Sequence, residues 1–98
     1  MKFPTIEELK LQCRIDYSDE DSLLDMYLKA AINRAETRLN RKLYEDSIPE
    51  DKSNGIVVNA EIKMALILAV NHFYDSRNAA KIPTGFYELI DPYRVIPL

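Results

Sequence analysis

From Asn59 to Asn78 the chain reads NAEIKMALILAVNHFYDSRN, twenty residues without a proline or glycine. Those two residues cost a helix interior the most, so their absence over this length predicts one long helix, with Asn59 as a good N-cap. At about 100° per residue, Ile62, Ala65, Leu66, Ala69 and Phe73 fall on one face. Met64, Ile67 and Leu68 fall on the opposite side, with Lys63, Asn71 and Asp75 between them. A helix that is apolar on two sides has to be covered on two sides. Either the rest of the chain wraps it, or another protein covers the face bearing Met64, Ile67 and Leu68.

The wrapping available is helical. Thr5 to Glu8 reads TIEE, a capping box, and Ile6, Leu9 and Cys13 recur at helical spacing, which predicts a short first helix to about Cys13. Ser18 with Asp21 predicts a second capping box. From there to Arg41, Leu24, Leu28, Ala31, Ile32, Ala35 and Leu39 form one stripe; Asp25, Lys29, Asn33, Glu36 and Asn40 form the other. Residues 44–59 read as a polar connector with Pro49 and an Asn54-Gly55 turn. Ile56 to Val58 suit an extended stretch, yet no partner strand is evident and no sheet is expected. Phe86 to Ile90 predict a short fourth helix, stopped at Asp91 because a residue preceding proline disfavours the helical region. The expected fold is all-α: a small bundle of about four helices, two long and two short, with an extended C-terminal tail, in a single domain spanning residues 1–98.

Composition removes several function classes. A net charge of −3 with a pI near 5.1 lacks the basic footprint of a nucleic-acid-binding domain. One cysteine, Cys13, excludes an intramolecular disulfide, and with one histidine it cannot fill a zinc site. The opening MKFPTIEELK has no apolar core of a signal peptide, and the longest apolar run, Met64 to Val70, is far short of the roughly 20 residues of a membrane span. A cytosolic chain without membrane contact is expected.

No catalytic, cofactor or metal site is expected. His72 has Asp75 and Ser76 within helical reach, but no oxyanion hole or pocket signal accompanies them. The acidic stretch DYSDEDSLLD lacks the central glycine of a calcium loop. What stands out is charge placement. Asp19, Glu20 and Asp21 crowd the start of the second helix; Arg34, Arg38 and Arg41 share one flank near its end. This gradient complements the helix dipole, and it equally suits head-to-tail contact between copies. The end of the chain, PTGFYELIDPYRVIPL, divides in the same way. Phe86, Leu89 and Ile90 have core spacing, whereas Tyr93, Val95, Ile96 and Leu98 lie beyond the last helix and suit a partner.

Taken in order, TIEELKLQCRIDYSDEDSLLDMYLKAAINRAETRLNRKL, IKMALILAVNHFYDSRNA and IPTGFYELIDPYR resemble the head–tail connector (adaptor) proteins of long-tailed bacteriophages and prophages. The family often has tryptophan where Phe73 stands and proline near Val58-Asn59. The resemblance implies a non-enzymatic structural protein of the virion head–tail interface, assembled in the host cytoplasm. It implies a homo-oligomeric ring of about a dozen copies under the portal, matching cyclic symmetry. The ring would join the portal to the next head-completion or tail protein, and DNA would pass through it without sequence-specific binding. On this chain, subunit contacts would fall to Asp19, Glu20, Asp21, Arg34, Arg38, Arg41, Met64, Ile67 and Leu68. Portal contacts would fall to Pro92, Tyr93, Arg94, Val95, Ile96 and Leu98. The alternative is a small helical DNA-binding or packaging accessory protein, which needs a basic recognition helix; NAEIKMALIL is too apolar to enter a groove.

Overall fold

A computed structural model describes residues 1–16, 19–51, 54–76 and 82–95. Four helices carry the fold: α1 (Ile6–Cys13), α2 (Asp21–Leu39), α3 (Ala60–Ser76) and α4 (Thr84–Ile90), followed by a 3-10 turn at Asp91–Tyr93. The architecture is mostly helical, as the periodicity predicts.

Each helix start has a local cause. The Glu8 N–H donates to Thr5 Oγ1 (3.1 Å) and the Thr5 N–H donates to Glu8 Oε1 (2.9 Å), closing the expected capping box on α1. Asn59 Oδ1 accepts from the Ile62 N–H at 2.9 Å and starts α3. The second capping box is a correction. Glu20, not Ser18, stands at the cap position of α2 and makes no side-chain cap bond; Ser18 lies outside the described residues. Asp21 instead forms an ion pair with Lys10 on α1, 3.3 Å away, so its carboxylate ties two helices together. Both α1 and α2 end on residues in the left-handed region, Arg14 (φ 59) and Asn40 (φ 56). Asparagine tolerates that conformation well.

Helix α3 is central. Ile62, Ala65, Leu66, Ala69 and Val70 are fully buried, and α2 meets them with Leu24, Ala31, Ala35 and Leu39. Alanines four residues apart on both helices leave no bulk at the crossing, which permits interaxial distances near the ~8 Å lower limit. Phe86 and Ile90 of α4 and Leu9 of α1 complete the same core. The end of α2 lies beside the start of α3. The Val95 N–H donates to the Leu39 carbonyl (2.8 Å), while the Tyr93 hydroxyl donates to Glu61 on the first turn of α3.

The connector departs from expectation. Leu43–Tyr44 (β1) and Ile56–Val57 (β2) pair in parallel, Leu43 opposite Ile56 and Tyr44 opposite Val57. The register is held by the Ile56 N–H on the Lys42 carbonyl (2.9 Å) and the Val58 N–H on the Tyr44 carbonyl (2.8 Å). Gly55 sits where the two segments converge. A Cβ there would lie 2.6 Å from Tyr44 Cε2 and 3.0 Å from Ile48 Cγ2. Gly55→Ala is expected to cost about 1–3 kcal/mol through overpacking, read as a lowered midpoint in a circular dichroism melt. An unchanged midpoint would mean that Tyr44 moves aside freely.

The last helix also begins earlier than expected, at Thr84, behind Pro83. It closes at Ile90, but Asp91 keeps right-handed helical angles (φ −55, ψ −34) even though Pro92 follows. Arg38 holds the Asp91 side chain, which offsets the local preference.

Candidate functional site

The second face of α3 is open. About 180° from the buried face, Ala60, Met64, Ile67 and Asn71 line a groove together with Leu68, Lys63 and, from the N-terminal segment and α1, Met1 and Gln12. Its volume is about 470 Å³. Met64 is 60% exposed; Ile67 and Leu68 are half-buried. Leu11 on α1, at 81%, and Met26 on α2, at 65%, are the other strongly exposed large apolar side chains of the helices. Neither is visible to a periodicity argument focused on cores. The available signal is a bulky apolar residue standing on a polar helix face.

The three arginines that share the flank near the end of α2 have different surroundings. Arg38 forks onto Asp91, Nε to Oδ1 at 2.9 Å and Nη2 to Oδ2 at 3.1 Å, and its guanidinium lies 5.0 Å from the Tyr87 ring centre. Arg41 donates to three carbonyls: Asn54 (3.2 Å), Gly55 (2.9 Å) and Tyr93 (3.2 Å). Arg41 therefore braces both the connector and the segment after α4, and Arg38 braces the latter. Arg34 is exposed. At the acidic end, Asp19 is exposed, Glu20 half-buried and Asp21 engaged with Lys10.

The segment after α4 is docked as far as it is described. Tyr93 is half-buried, its carbonyl held by Arg41 and its hydroxyl by Glu61. Pro92 and Arg94 are exposed, and Val95 is 40% exposed. Ile96 and Leu98 lie outside the described residues. His72 is half-buried with its ring 6.2 Å from that of Phe73. Among the described residues no group of three or more His, Cys, Asp or Glu side chains converges as metal ligands, and no helix is long and apolar enough to cross a membrane. Burial raises the Cys13 thiol, with the nearby Asp75 charge adding to it, so thiolate character is disfavoured.

Three carboxylates titrate low for identifiable reasons. Asp91 is held down by its bonds from Arg38, Glu8 by Lys63 and the Thr5 N–H, and Asp46 by Lys2. In the folded chain each binds its proton less readily than in the unfolded chain, so its contribution is fully present above the ordinary values of 3.8 and 4.5 and is lost as pH falls through the lower folded ones. The melting midpoint is expected to hold down to about pH 5 and to decline below about pH 4. Asp91→Asn should lower the neutral-pH midpoint and make the acid decline shallower. Parallel wild-type and variant profiles would show that the Arg38–Asp91 pair contributes nothing to it.

Comparison with known protein families gives a match over most of the chain. The family model described as Phage gp6-like head-tail connector protein covers residues 3–94, from the segment before α1 through all four helices to Arg94. No curated protein and no solved structure matches.

Proposed function

The chain belongs to the phage gp6-like head–tail connector family, a family of structural phage proteins, and on that premise we propose that it assembles as a closed ring beneath the portal. The family role is connection at the virion head–tail interface, in contact with portal and with head or tail proteins. The ring, its seat on the portal and the passage of DNA through it without sequence-specific recognition are the proposed parts. No enzymatic step is assigned.

The observation that carries the reading is the breadth of the family match, which takes in nearly the whole chain including Asp91-Pro92-Tyr93-Arg94. A helix left open on one side supports it, because a structural ring needs the same chain to offer a surface for its neighbour. Subunit contacts are assigned to Met64, Ile67 and Leu68 with the charged ends of α2, where Asp19 and Arg34 are exposed. Portal contact is assigned to the outer edge of the last turn, Pro92, Arg94 and Val95, with Ile96 and Leu98. Tyr93 and Arg41 support that edge from behind.

Native mass spectrometry over a wide concentration range tests assembly, and capture by the immobilised cognate portal tests docking. A cyclic oligomer and portal capture that Arg94→Glu abolishes, with the melt unchanged, are the expected results. Portal capture insensitive to Arg94→Glu and to deletion of residues 96–98 would remove the assigned portal edge. A chain that neither oligomerises nor binds portal would overturn the ring itself.

A further inference from the structure

We infer that the outer groove of α3 receives the exposed face of α2 from the next copy, so that α3 lies between its own α2 and a neighbour's. This rests on the ring reading and specifies how the ring is joined.

The two faces match in pattern. Ala60, Met64, Ile67 and Asn71 stand at i, i+4, i+7 and i+11, the spacing of a helix-pairing seam. On α2, exposed Ser22, Met26, Ala30, Asn33 and Thr37 run along the side away from the core. They are small or uncharged except for one large apolar side chain, Met26, 65% exposed. A solvated helix face is ordinarily charged; this one has its charges at the flanks, where Asp25 and Lys29 are paired with each other at 2.9 Å. Small residues opposite a groove let a second helix approach closely.

Placement makes the contact propagate. Within one chain α2 packs on the inner face of α3, so the outer face of α2 and the outer face of α3 look in opposite directions. Two complementary faces on opposite sides of one molecule give a heterologous contact, which closes into a ring when a modest rotation relates successive copies. With such a rotation the neighbour's α2 runs antiparallel to α3, as the chain's own α2 does.

In that direction the charges agree at the start of α3, while at its end Arg14 offsets the exposed carboxylate of Asp75. The end of α2 bearing exposed Arg34 meets the start of α3, where Glu61 and, on α1, Glu7 are exposed. The start of α2 with exposed Asp19 meets the other end of the groove. There α1 finishes at exposed Arg14, next to Cys13, whose thiol feels the charge of Asp75 near the end of α3. The acidic and basic ends of α2 and the apolar patch of α3 thus belong to one interface.

The test uses Met26→Cys and Met64→Cys, prepared separately in a Cys13→Ala background with different mass tags. Both positions are exposed, so the fold is spared. On mixing under assembling conditions, a short bismaleimide is expected to join Met26→Cys to Met64→Cys and not either variant to itself. Met26→Glu and Met64→Glu should each weaken assembly about tenfold or more without altering the melt of the dilute, unassembled chain. Oligomers that form as in wild type, lack the mixed cross-link and tolerate both glutamates would overturn this seam and leave the ring reading standing. A wild-type chain that stays monomeric into the millimolar range and shows no cross-link would overturn the seam together with ring closure by the chain alone.

Discussion

Phe86→Ala is expected to lower the thermal midpoint by about 15 °C or more. The side chain is fully buried, and its ring meets that of Tyr87 edge-on with centroids 5.1 Å apart. Truncating a buried phenylalanine costs about 3–5 kcal/mol, because the transfer term and the cavity left behind add. A domain of this size holds only about 5–15 kcal/mol in total, and each kcal/mol moves its midpoint by about 4–8 °C. Helix α4 is a seven-residue element with no side-chain cap bond, so it depends on its anchors rather than on intrinsic helicity. Loss of Phe86 therefore loosens α4 and, through it, the turn that presents Pro92 and Arg94. Met64→Ala, at a position 60% exposed, is the control and should stay within about 0.5 kcal/mol in the dilute, unassembled chain. A shift under about 5 °C in Phe86→Ala would show that α4 is not anchored through this ring.

The second large effect is Arg41→Ala, expected to cost about 2–4 kcal/mol. Its guanidinium donates to the carbonyls of Asn54 and Gly55 in the connector and of Tyr93 after α4. Hydrogen bonds from a charged donor are worth about 1.5–3 kcal/mol each where removal strands the acceptor, and partial exposure reduces the sum. Arg41→Lys should recover only a fraction, since an ammonium is a point donor that cannot span three carbonyls as the planar fork does. Circular dichroism melts give the cost. Amide exchange at Ile56 and Val58 shows where it falls, with both N–H groups expected to lose protection as β1 and β2 part. Protection retained at both positions with an unchanged midpoint would mean that the connector is held by its own pairing. Arg34→Ala, exposed on the same helix, should change stability little.

The contrast between Arg34 and Arg41 marks the limit of what spacing reveals. On the sequence, Arg34, Arg38 and Arg41 share one flank and look equivalent. In the fold, Arg38 meets Asp91 across 53 positions and Arg41 meets Tyr93 across 52. A helical wheel ends at the helix surface and has no information about which distant segment arrives there. The β1–β2 pair was hidden for the same reason. Each strand is two residues long, the pairing is parallel, and its register comes from backbone bonds to Lys42 and Tyr44 rather than from any alternation of side chains. Asp21 has the spacing from Ser18 of a capping box, yet the packing of α1 against α2 gives it Lys10 instead.

Short-range chemistry, by contrast, was legible. The Thr5–Glu8 box, the Asn59 cap, the buried stripes of α2 and α3 and the division of α3 into two apolar sides all arise from residues within one or two helical turns. There the covalent spacing alone sets which groups can meet. Residue order alone therefore specifies the helices, their buried faces and the existence of a second face on α3 in need of cover. Packing settles the rest: α1 and α4 leave that face open as a groove, two of three arginines engage the segment after α4, and the face of α2 bearing Met26 points the opposite way. Those outcomes depend on which surfaces are left over after the core has formed, and that remainder is a property of the packed whole.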